Sequence, residues 1–259
     1  MGQVRRHHRL CLDGLACQQD DGRRPKGQLQ HDSKQLVFDT RFTASIDLFT
    51  CQPLIISTGH VPTNLLLQLD AITMQLAKYI SAIRARFPGV VVALVEPLPW
   101  FSLKYNETIV YPQVPGGNHY GEYTRLMTQV HKGVLNAGSH LDEIVADSPY
   151  NFNLKTPAPE GEHDDNKWGW RKLAAASSFV RDKLGLKFSH YFNDAEGGAT
   201  SNALFASNTH KEFENCKDAG VVVSEASVRS WYLYPDTFVP ETSAGTFTNL
   251  MLSLMGRED

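Results

Sequence analysis

The sequence predicts an α/β fold, (β/α)8 TIM-barrel-like and short or irregular at its amino-terminal end, and three observations predict it. Apolar runs of strand length alternate with helix-length stretches whose apolar residues recur every three or four positions. The runs end at Glu96, Asp147, Asn193 and Trp231, spaced 51, 46 and 38 residues apart, which is close to one βα unit with its loops. The chain has 259 residues, 42% of them apolar, which suits a single domain with one sizeable core.

Residues 1–34 are rich in Arg, Gln, Asp and Gly and hold little to bury, so they read as an arm outside the fold. Residues 35–259 read as one barrel-like domain. Short apolar segments at 36–38, 46–49 and 54–58 are the first expected strands. Leu65, Leu69, Ile72, Leu76, Ile80 and Ile83 then form one apolar stripe of a helix, with Pro62 suited to its opening turn. Phe87-Pro88-Gly89 stops it, and the all-apolar run 90–95 reads as a strand buried on both faces.

The unit then repeats. A helical pattern through Tyr123, Leu126, Val130 and Val134 precedes a strand at 144–146. Trp170, Leu173, Val180 and Leu184 mark a helix ahead of a strand at 187–192. Residues 204–219 are helical in character and precede apolar segments at 221–223 and 228–232, and Phe247, Leu250, Met251 and Leu254 close the chain. A doubly wound open sheet is the rival arrangement, weakened because no Gly-x-Gly-x-x-Gly or phosphate-loop sequence follows any strand.

Composition narrows the partners. Lys and Arg total 25 against 28 for Asp and Glu, a formal net charge of −3, which gives no electrostatic case for nucleic acid or an anionic membrane. No apolar run approaches the length of a membrane-spanning helix. Cys11, Cys17, Cys51 and Cys216 lack both metal-type spacing and disulfide density, and read as ordinary thiols. The basic start and Leu10 to Cys17 have the outline of a secretory leader, but Asp13 interrupts it, so no leader is expected and the compartment stays open.

Strand carboxyl ends converge on one face in a parallel α/β fold, and that face is expected to hold Glu96, Asp147, Asn193, Asp194, Ser230, Trp231 and His60. Acids placed after long apolar runs need pairing, hydration or use. Trp231, Tyr232 and Trp100 can stack on the apolar face of a sugar ring, a job that competes with ordinary core filling. Asn193 can bond a ligand hydroxyl or simply satisfy turn backbone. Asn106-Glu107-Thr108 fits the glycosylation acceptor pattern, which arises often by chance.

Val95-Glu96-Pro97 resembles the strand-end Asn-Glu-Pro of retaining (β/α)8 glycoside hydrolases, with Val95 where that family has asparagine. The resemblance implies Glu96 as acid/base and a nucleophile three strands further on, near Glu225; Asp147 competes as the second carboxylate. It implies a carbohydrate substrate and no cofactor. Two other readings stand beside it: a non-catalytic sugar-binding barrel, and a metal-dependent hydrolase or lyase in which His60 or His190 joins Asp147. No His-x-His or His-Glu-x-x-His spacing supports the last, and no metal is expected.

Overall fold

Five parallel strands, hydrogen-bonded in the order of the chain, form one sheet among the described residues. The computed structural model describes residues 43–47, 65–103, 122–159, 161, 163 and 166–254. The arm at 1–34, the strands expected at 36–38 and 54–58, Pro62, His60, the triplet at Asn106, and Cys11, Cys17 and Cys51 lie outside these residues.

The strand expected at 46–49 begins earlier, as β1 (Thr43–Asp47), and α1 (Leu65–Arg86) leads to β2 (Val91–Glu96). A 3-10 turn at Leu98–Trp100 follows, then α2 (Tyr123–Asn136) and β3 (Glu143–Asp147). Next come α3 (Tyr150–Lys155) and α4 (Trp168–Phe179), the latter running on as a π-helical turn at Val180–Leu184 and leading to β4 (Lys187–Phe192). Finally α5 (Ala195–Thr200) and α6 (Asn202–Asp218) precede β5 (Ala226–Val228) and α7 (Phe247–Leu254). No helix among the described residues is long and apolar enough to cross a membrane.

Local chemistry explains the boundaries. The Glu122 carboxylate accepts from the N–H groups of Thr124 and Arg125, both at 3.0 Å, satisfying two donors at the start of α2. That helix turns Tyr123, Met127, Val130 and Val134 inward. Gly185, at φ 68°, takes the left-handed conformation that ends the π-helical turn. Ser201 caps α6 by accepting from the Leu204 N–H at 3.2 Å.

Alternation along the strands divides the sheet into two faces. Val92, Leu94, Ile144, Ala146, Phe188, Phe192 and Val228 join the main core with the inner stripes of α1, α2, α4 and α6. Ala93, Val95, Val145 and Tyr191 form a separate buried cluster on the other face. Helices α1, α2, α4, α6 and α7 pack on one another in succession. A doubly wound sheet reverses its strand order at a switch point; here the order runs straight through among the described residues. Eight strands are not present among the described residues, so the fold is a mixed α/β one with a parallel sheet.

Two expectations shift. Residues 221–223 are not a strand, because Val221 N–H returns to the Cys216 carbonyl at 2.9 Å and the Val222 carbonyl accepts from Ser177 Oγ at 2.6 Å. The strand pairing moves on to β5, and Trp231 and Tyr232 lie in bends beyond it.

Candidate functional site

Asp147 ends β3 on the face away from the helices, paired in register with Tyr191 of β4. Asn193, two residues past Tyr191, faces the same way, and its Nδ2 donates to Asp147 Oδ1 at 2.9 Å and to the Tyr191 carbonyl at 3.2 Å. Arg229, just beyond β5, lays its guanidinium over the Tyr191 ring at 3.7 Å from the centroid and lies 5.8 Å from the Trp231 ring. The Arg229 side chain is buried, and a cation held against aromatic faces away from water contributes roughly 2 kcal/mol. Trp231 is 40% exposed and Tyr232 43%, so the aromatic run opens to solvent beside the buried polar group. At the carboxyl edge, then, Asp147, Asn193, Arg229 and Trp231 form a connected set.

Glu96 is not part of it. Its register partner is Ala146, and it shares the helix-facing side of β2 with Val92 and Leu94, whereas Asp147 lies one residue past Ala146 and turns the opposite way. Glu96 is fully buried toward Tyr123, whose hydroxyl is pushed well above its ordinary pKa by burial and then by the Glu96 charge. The two acids occupy neighbouring strand ends on opposite faces of the sheet.

The other expected residues fall in different places. Glu225 precedes β5, with its carbonyl accepting from the His190 N–H at 3.3 Å. In the register that sets Asp147 level with Tyr191 and Ser227, it lies two residues before Ser227 and two strands across from β3. Ser230 spends its hydroxyl on its own loop, donating to the Tyr234 carbonyl and accepting from the Tyr232 N–H. Trp100 is half-buried at the end of the 3-10 turn after β2. His60 lies outside the described residues.

His190 is fully buried on the helix face of β4, with Nδ1 3.1 Å from the Ala146 carbonyl oxygen and Nε2 3.0 Å from Glu212 Oε1. Both ring nitrogens are therefore engaged. Among the described residues no group of three His, Cys, Asp or Glu side chains is arranged to hold a metal ion. Glu212 Oε2 accepts from the Asn193 backbone N–H at 2.8 Å. Burial first, then the Asp194 and Asp147 charges, hold the Glu212 carboxyl well above its ordinary pKa against the lowering effect of that N–H. Burial lowers His190 to about 4, opposed by its bond to Ala146.

Sequence reasoning missed Tyr191, Arg229 and Glu212. For Glu212 a signal existed: Phe205, Thr209, Glu212 and Cys216 recur at helical spacing and all are buried, so a charged residue stands in an inward stripe. Asp194, which the sequence does place at this edge, is buried, capping α5 through its contact with the Gly197 N–H at 2.5 Å and taking a bond from Asn208 Nδ2 at 2.7 Å. No protein-family model, curated protein or solved structure matches this chain.

Proposed function

We propose that the carboxyl edge of the sheet is a carbohydrate site, in which Asp147, oriented by Asn193, accepts from ring hydroxyls and Trp231 stacks on the ring. The observation that carries this reading is the Asp147–Asn193 bond beside a half-exposed tryptophan, on the face turned away from the helices. A carboxylate has about four acceptor positions, of which Asn193 takes one, and sugar hydroxyls are donors that match such acceptors. An indole supplies the flat apolar surface that a sugar's C–H face covers.

Binding is favoured over cleavage by one specific observation. Glycoside hydrolysis with paired carboxylates, implied by the resemblance of Val95-Glu96-Pro97, needs a second carboxyl group across the scissile bond from the first. Strand alternation turns Glu96 toward the helices instead. Hydrolysis is the second version of this proposal, with Asp147 as its retained carboxylate.

Titration calorimetry against a panel of neutral and acidic oligosaccharides tests the site. D147N is expected to weaken the best ligand about tenfold or more, since a bond to a charged group contributes about 1.5 to 3 kcal/mol. W231A should cost about fivefold, with both variants as stable as the parent. Turnover of a glycoside that D147N abolishes and E96Q leaves intact would move the reading to hydrolysis. Absence of any sugar binding by the parent protein would remove it.

A further inference from the structure

The Asp147 carboxylate is held from the opposite side of the sheet by residues that never reach that face. Glu212, in the middle of α6, accepts from the Asn193 backbone N–H through Oε2 and meets His190 Nε2 through Oε1. The Asn193 carbonyl accepts from the Tyr150 N–H at 2.9 Å, and its side chain donates to Asp147. His190 in turn reaches the carbonyl of Ala146, the residue that precedes Asp147. The path from Ala146 through His190, Glu212 and Asn193 to Asp147 thus closes on itself, binding β3, β4 and α6 in one ring.

Donor accounting places the protons. A carbonyl oxygen only accepts, so His190 Nδ1 carries a hydrogen and donates to Ala146. The contact between Nε2 and Oε1 then needs one more proton between two atoms that otherwise both accept. Held by the imidazole, that proton would make an ion pair with no access to water, which carries a heavy desolvation cost. Held by Glu212, it leaves both partners neutral.

We propose that Glu212 and His190 are a positioning pair, a protonated carboxyl donating to a neutral imidazole, which fixes Asn193 and through it the Asp147 carboxylate. Two carboxylates around the pair favour the neutral form, Asp194 at the start of α5 and Asp147 on β3, while the Tyr150 phenol of α3 and the Cys216 thiol of α6 are held uncharged, chiefly by burial. Burial acts in the same sense on both members. The inference concerns the architecture of the site; only its sugar readout rests on the proposed function.

E212Q and E212L test it. A glutamine offers its oxygen to the Asn193 N–H and its amide hydrogen to His190 Nε2, reproducing a protonated glutamate, while leucine offers neither. In nitrogen-correlated NMR of unliganded protein near neutral pH, the parent and E212Q should both show His190 protonated at Nδ1 alone. The Asn193 side-chain amide and the Asp147 carboxyl resonance should be unchanged in E212Q and displaced in E212L. Affinity for the best sugar should stay within about twofold in E212Q and fall about tenfold in E212L.

An imidazolium signal for His190 in the parent, or undisplaced Asn193 and Asp147 signals in a folded E212L, overturns the proposal. Should E212L fail to fold, the ring-nitrogen spectra of the parent and E212Q decide alone. A parent that binds no sugar sinks the carbohydrate reading and leaves these spectra to judge the pair separately.

Discussion

Asp142 and Asp147 flank the two ends of β3 and serve opposite purposes. At the amino-terminal end, Asp142 Oδ2 receives Arg84 Nη2 at 2.5 Å and the Val92 N–H at 2.7 Å, while Arg84 Nη1 also donates to the His140 carbonyl at 2.6 Å. Glu143, the next residue, accepts from Ser189 Oγ on β4. Carboxylates here tie α1, β2, β3 and β4 together. At the carboxyl end, Asp147 meets the neutral amide of Asn193, close to an arginine stacked on tyrosine and a tryptophan open to solvent. The first end spends its charge on the fold, and the second sets a carboxylate beside aromatic side chains at the strand ends, where functional residues gather in parallel α/β proteins.

The largest expected effect comes from disturbing how the carboxyl end is seated. A Cβ on Gly197 would lie 2.6 Å from the backbone N and Cα of Phe205 and 2.6 Å from Asp194 Oδ2. Backbone cannot swing aside as a flexible side chain can, so G197A should destabilise the protein by about 3 kcal/mol or more in urea unfolding. A cost under about 1 kcal/mol would mean that α5 and α6 are loosely joined and that the contrast between the two ends is weaker than their contacts imply.

A second measurement sharpens the comparison through pH. With His190 lowered to about 4 and Glu212 raised, the folded pair holds one proton from pH 4 up to the raised Glu212 value. The unfolded pair holds two protons below about 4.3, one between there and about 6.5, and none above. Between those two values the counts match, because the depressed His190 gains stability with rising pH as fast as the raised Glu212 loses it. Above about 6.5 the His190 contribution is complete and only the Glu212 loss continues, so stability falls by up to about 1.4 kcal/mol per pH unit. Below about 4.3 stability falls again as pH drops toward the folded His190 value. E212Q should abolish the alkaline decline, measured as the change in unfolding free energy between pH 7 and pH 9. Equal slopes in E212Q and the parent would contradict the assignment.

How much of this was legible in the sequence depends on which face a residue turns to. The apolar run at 90–95 announced a buried strand, and the ends at Glu96, Asp147 and Asn193 follow from such runs. A strand buried on both faces shows no alternation, however, so nothing in Val91-Val92-Ala93-Leu94-Val95 tells Glu96 which way to point. Only the pairing of Glu96 with Ala146 settles that it looks toward α2 and away from Asp147. β5 misled for another reason: Val221 and Val222 are apolar, yet their backbone is claimed by the end of α6 and by Ser177. α3 and α5, at six residues each, are too short for periodicity to reveal. Arg229 sat unmarked between Val228 and Ser230 because its partner ring, Tyr191, comes from a different strand.

The smallest effect is the one that most cleanly separates the two ends. D142A removes the acceptor of the Val92 N–H and the partner of Arg84, whose side chain is 20% exposed, against 28% for Asp142. Solvent screens part of the ion pair, so most of the loss comes from the backbone donor left without its charged acceptor. The expected cost is about 1 to 2 kcal/mol in urea unfolding, with ligand affinity at the carboxyl end unchanged by calorimetry. Asn193 and Tyr191 reach Asp147 from β4, and β4 is anchored to α6 through Glu212, none of which passes through Asp142. Were D142A to weaken the ligand as strongly as D147N does, the sheet would be transmitting strain along β3, and the two ends would form a single mechanical unit.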